Sequence, residues 1–177
     1  MDLSYFELLS EDDKAKEIYA RFGLCVYTFQ TFEQQLMNLI LAKSRAHAIN
    51  MTPAEYDLIF KSYSDKTMGE LKKKVINLYT LPKDIKKKLE IINTSRNYFV
   101  HHYFKDNSHL FFSDLGQRKM LKEITEMTEE IKIVDKYFDE KIDELITELN
   151  VNRDYISELY DKMKNGKDIQ DLKYKKI

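Results

Sequence analysis

The decapeptide SRNYFVHHYF, residues 95–104, gathers the side chains of this sequence best suited to chemistry. It sets Arg96, Asn97 and two adjacent histidines, His101 and His102, in an apolar, aromatic frame. Arginine presents a planar fork of donors that matches phosphate oxygens. Histidine moves protons near neutral pH. Asparagine can orient an imidazole or hold a phosphate oxygen. These are parts for cleaving an RNA phosphodiester. That reaction needs a proton taken from a 2′-OH, a proton given to a 5′-oxygen, and charge stabilisation at the phosphate. One chain offers one well-placed histidine. Two copies of the same helix, facing each other across a two-fold axis, would supply two of everything.

The elements that must position these groups are helices. LPKDIKKKLEII opens a helix near Pro82, and the apolar pattern runs on to about Phe104. At about 100° per residue, Ile85, Leu89, Ile92, Phe99 and Tyr103 share one side, which should face the core, with Arg96 at its edge. Asn97 and His101 are four apart, so they stack on a different face together with Phe104. An arginine at a core edge needs a partner, because an unpaired buried charge is costly. Glu33 is the candidate. It falls in a gap of the first helical stripe, between Phe29 and Leu36.

That first helix spans about Asp12 to Ala48, its apolar residues Ile18, Phe22, Val26, Phe29, Leu36 and Ile40 recurring at three- and four-residue steps. MTPAEYDLIF starts the next, with Thr52 as cap, Pro53 in the first turn and Glu55 completing a capping box. A helix carrying Leu71, Val75 and Leu78 follows. KDNSHLFFSDLGQ reads as a loop, and His109 in it as a solvated histidine that could alternatively touch RNA. A long helix runs from about Leu115 to Leu149 and a short one from about Asp154 to Lys164. The expectation is one all-α domain over residues 1–165 and a basic tail over 166–177.

Composition agrees. The chain of 177 residues has only 4 Gly and 2 Pro, too few turn residues for a sheet protein. Its net charge of -1 hides a basic stretch, Lys61–Lys88, and an acidic one, Leu121–Glu148. Within the basic stretch, Lys72, Lys73, Lys74, Lys86, Lys87 and Lys88 are candidates for holding an RNA backbone, and Tyr98 and Phe104 for stacking on bases. The single cysteine, Cys25, excludes an internal disulfide and reads as a buried thiol. No apolar run is long enough to span a membrane and the N-terminus is acidic, which points to a cytoplasmic protein. Histidine and cysteine are too scattered for a zinc site, so no metal and no cofactor is expected.

This order of motifs resembles the HEPN superfamily. Its signature is Arg, four to six residues, then His, with a polar residue after the Arg. RNYFVH matches through Arg96, Asn97 and His101, and His102 also falls within the spacing. FQTFEQQLMNLI looks like the first-helix pattern of such proteins, and DKTMGELKKKV followed by the Arg-Asn-x-x-x-His-His helix looks like a bacterial branch. The resemblance implies an all-α bundle with two long antiparallel helices. It implies a metal-independent endoribonuclease that works as a homodimer, in toxin–antitoxin, phage-defence or RNA-processing settings, with an antitoxin protein as a further partner. On that pattern Arg96 binds the scissile phosphate, His101 (or His102) is the general acid or base, Asn97 orients them and Glu33 holds Arg96 from behind. Some relatives carry Arg-x4-His-x-Tyr and are modified on the Tyr, here Tyr103, although the wheel turns Tyr103 toward the core. The rival expectation is a non-catalytic helical module that binds RNA or protein and keeps Arg96 and Glu33 as a buried ion pair.

Overall fold

Two helix starts follow from local chemistry. Thr52 and Thr67 each accept a hydrogen bond from the backbone N–H three residues on, and Glu55 and Glu70 reach back to the threonine N–H. These reciprocal bonds satisfy donors that the first turn leaves open. The computed structural model describes residues 4–47, 52–150 and 153–165. The proposed basic tail, 166–177, lies outside them. In chain order the elements are α1 (Ser4–Glu7), α2 (Glu11–His47), α3 (Pro53–Ser64), α4 (Met68–Leu78), α5 (Lys83–His101), α6 (Tyr103–Asn107), a 3₁₀ turn (Ser108–Phe112), α7 (Asp114–Glu148) and α8 (Arg153–Lys164). No strand occurs among the described residues, so the molecule is the expected all-α bundle. No described helix is long and apolar enough to cross a membrane.

The core lies where α2, α5 and α7 meet. From α2 it takes Ile18, Cys25, Phe29, Phe32 and Leu36, from α5 Leu89, Ile92 and Phe99, and from α7 Met120, Ile124, Ile131 and Phe138. Burying these stripes removes apolar surface from water at roughly 25 cal/mol per Å². Cys25 is buried as expected, and burial pushes its thiol pKa up.

The direction of the long helices is a correction. Lys14 of α2 reaches Asp114 at the start of α7, Phe32 stacks near Phe138, and Gln35 bonds Asp139 further along. Residue numbers rise together on both, so α2 and α7 run parallel rather than antiparallel. The antiparallel partner of both is the motif helix. Glu33 faces Arg96 while Phe22 faces Phe104, and Lys88 pairs with Glu130 while Tyr103 bonds Met120. The physical reason is the number of reversals. α3, α4 and α5 intervene, which leaves α5 antiparallel to α2, and the chain reverses once more through α6 and the 3₁₀ turn, so α7 leaves in the direction of α2.

The segment read as a loop is ordered and largely helical. Ser113 caps α7 by accepting from the Gly116 N–H at 3.2 Å, and the Gln117 side chain donates to the Phe111 carbonyl at 2.9 Å. Gly116 lies so close to the Leu110 backbone that a Cβ there would collide with it. These local bonds hold the 3₁₀ turn against α7.

Candidate functional site

Arg96, Asn97 and His101 stand at the C-terminal end of α5, where the helix passes the middle of α2. Arg96 projects from the edge of the core-facing side, as its register predicts. Its side chain is 30% exposed, and its Nε lies 3.2 Å from Glu33 Oε1 on α2. The expected Glu33–Arg96 pairing is therefore present. It is an ion pair rather than a directed hydrogen bond, since the N–H does not aim at that oxygen, and Oε1 has no hydrogen-bond partner among the described residues. Nη1 of Arg96 donates to Asn97 Oδ1 at 3.3 Å. Most of the guanidinium's five donors stay uncommitted and partly open to solvent.

Asn97 and His101 are exposed on the next face of α5. Stacking by one turn does not join them: among the described residues no hydrogen bond links the two, and the Asn97 oxygen serves Arg96 instead. The helix is also not continuous to Phe104. It ends at His101, and His102, at φ -130° and ψ -25°, is the joint between α5 and α6. The rings of His101 and His102 are 6.3 Å apart and edge-on, both exposed. Each is free to meet a ligand, and the structure does not choose between them.

Tyr103 faces inward across the break, as its register predicts. It is 1% exposed, and its hydroxyl lies 3.2 Å from both the Met120 carbonyl and Glu123. Burial, helped by the Glu123 charge, pushes its pKa up. A buried, doubly held phenol is not presented to a modifying enzyme in this conformation.

The groove around the motif is half covered. α4 packs between α2 and α5, and its Gly69 lies against Asn93, one turn before Asn97. Beyond Gly69 the groove is left to solvent. On α5, Val100, one turn beyond Arg96, is 40% exposed; on α2, Tyr27 is 62% exposed, and one turn before it a Cβ at Gly23 would meet nothing within 4 Å. Sequence reasoning did not single out Gly23, Tyr27 or Val100. A signal was there for Tyr27, an aromatic on the polar side of the α2 wheel. Nothing local marked Gly23, an exposed position within α2.

The structure divides the remaining candidates. Lys73, Lys74, Lys86 and Lys87 are exposed. Lys72 is not free for RNA: it is 7% exposed and paired with Glu90 across the α4–α5 contact. Lys88 is similarly bound to Glu130 of α7. Phe104 is also withdrawn from base stacking, since its ring sits 4.4 Å from Phe22 and within 6.0 Å of Tyr19 and Phe111. Tyr98 keeps an exposed edge but belongs to the other flank of α5, where it accepts from Asn107 Nδ2 at 2.8 Å and helps line a cleft of about 420 Å³ with Ile91 and Met127. Among the described residues no group of three or more His, Cys, Asp or Glu side chains is gathered to hold a metal ion.

Neither a family model, a curated protein nor a solved structure matches the chain.

Proposed function

We propose that the chain is an endoribonuclease of the HEPN type, working without a metal ion and as a homodimer. The observation that carries this reading is the half-used Arg96. A guanidinium tethered by Glu33 and Asn97 but otherwise open, on the same helix end as an exposed His101, is suited to bind a phosphate while the imidazole moves a proton. Arg96 neutralises the scissile phosphate. His101 accepts the 2′-OH proton or protonates the 5′-oxygen, and the same residue of a second copy does the other. Asn97 and Glu33 are positioning residues that limit the sweep of Arg96. Apolar side chains exposed beside an open glycine, Tyr27 and Val100 with Gly23, are the kind of surface that a second copy covers.

The test uses purified wild type, Arg96→Ala and His101→Ala, incubated with RNA in excess EDTA. Cleavage by the wild type alone, with both variants folded by circular dichroism, supports the enzyme. Mixing tests the shared site: because cleavage uses the histidine of both copies, excess His101→Ala chain should suppress wild-type cleavage as mixed dimers form, and undiminished wild-type cleavage would mean that each copy acts alone. Cleavage by none, or equally by all three, favours the non-catalytic module.

A further inference from the structure

The outer face of α5 carries more than the motif. At about 100° per residue, Lys83, Lys86, Lys87, Glu90, Thr94, Asn97 and His101 fall in one stripe, and all are exposed. Glu90 is the acidic group in it, and Lys72 neutralises that charge from α4. Asp84 is exposed but turned about 100° from Lys83. Lys73 follows Lys72, so it turns outward beside the stripe, whereas Lys74 is carried round to the far side of α4. The stripe from Lys83 to His101 is about 27 Å long at 1.5 Å per residue. One end holds three lysines, with Lys73 of α4 beside them, and the other holds Asn97 and His101, with Arg96 on the adjoining face toward α2.

We infer that this stripe is a track for one strand of RNA. Lys73, Lys83, Lys86 and Lys87 hold successive phosphates, and His101 engages one phosphodiester at the far end, with Arg96 reaching it from the adjoining face. The assignment of the far end rests on the ribonuclease reading; the track itself rests on the lysines. A single strand fits better than a duplex for two reasons. One helix face offers a single row of charges, whereas proteins that take duplex RNA reach across its minor groove. An A-form duplex also keeps the 2′-oxygen away from the in-line position that attack on the phosphate requires. No aromatic side chain stands between Lys87 and Asn97, so the strand is gripped by its backbone and its bases are not read.

The experiment measures binding and cleavage separately. The full-length His101→Ala chain is titrated with a fluorescent oligouridylate by anisotropy over a range of salt. It is compared with the same chain carrying Lys73, Lys83, Lys86 and Lys87→Gln, and with a charge-matched control carrying Lys16, Lys74, Lys122 and Lys136→Gln. The stripe variant is expected to bind roughly tenfold or more weakly, and its log–log salt slope to flatten by about 2–3, since a single strand contributes about 0.7 per phosphate contact. The control is expected to stay near the parent. Equal losses in stripe variant and control, or equal parental affinity for a duplex of the same length, would overturn the track. Cleavage is then scored in the His101-containing counterparts. RNA binding that depends on the stripe without any cleavage retires the ribonuclease reading and leaves the track standing. Cleavage with stripe-independent binding does the reverse.

Discussion

The two ends of α5 face the same groove beside α2 and have opposite fates. At its N-terminal end α4 fills the groove, and the cation that points across it, Lys72, is buried on Glu90. At the C-terminal end α4 has not yet begun, and the cation there, Arg96, is only tethered to Glu33 and Asn97. Both cations have a carboxylate partner, so pairing alone does not separate structure from function. Coverage does. Lys72 spends its one ammonium inside an interface between helices, while Arg96 keeps most of its donors for something that is not in the chain.

The contrast can be broken most sharply by activity. His101→Ala is expected to lower RNA cleavage about 10²–10⁴-fold, the usual worth of a general acid or base. Thermal unfolding should not change, because His101 is exposed and packs on nothing in the core. Unaltered cleavage would place the chemistry elsewhere.

Replacing each cation by methionine tests coverage directly. Arg96→Met should abolish cleavage and cost about 1–3 kcal/mol in urea unfolding, since it strands the buried Glu33 oxygen without a positive neighbour. Lys72→Met should keep cleavage and change stability by no more than about 1 kcal/mol in either direction. Its partner Glu90 is 61% exposed and stays hydrated when released. Equal activity losses in the two would erase the distinction between the ends.

The covered end also has a pH signature. The Tyr79 hydroxyl donates to the Leu39 carbonyl at 2.9 Å, and burial, with the Glu148 charge adding to it, pushes its pKa up to about 12 from 10.0. The folded state thus favours the neutral phenol. Its contribution is complete below pH 10 and is lost as pH rises through about 12. That loss is on the order of 2 kcal/mol. Urea midpoints measured across this window should fall for the wild type and fall less for Tyr79→Phe. Parallel curves would contradict the assignment.

The smallest effect belongs to the open end. Gly23 lies inside α2 with free space around its Cα, so Gly23→Ala should stabilise the monomer by about 0.5–1 kcal/mol. If a second copy closes over this groove, a larger Gly23→Gln should keep the fold but weaken self-association in sedimentation equilibrium. Unchanged association would remove Gly23 from the interface.

Much of this was legible in one dimension. The starts of α3 and of the motif helix, the inward side of α5 and the Glu33–Arg96 pairing all follow from interactions or periodicities a few residues long. The Thr67–Glu70 box was equally readable in TMGE. What was not legible depends on where separate helices meet. Asn97 was placed under His101 by register, but the nearer Arg96 took its oxygen. The break at His102 has no Pro or Gly to announce it; it accompanies the packing of Tyr103 against α7.

The sequence by itself determined that this protein is a helical bundle, which faces of its helices are apolar, and that Arg96, Asn97 and a histidine share one helix end. Propensity, capping and the 3.6-residue period act over a turn or two, and a single chain displays them. Only the tertiary structure decided that α2 and α7 run parallel, that Lys72 and Lys88 are consumed while Lys73, Lys86 and Lys87 are not, and that the groove beside Arg96 stays open. Those outcomes depend on how many times the chain reverses and on where α4 begins relative to α5. Such distances are set by packing between residues far apart in sequence, and no local pattern encodes them.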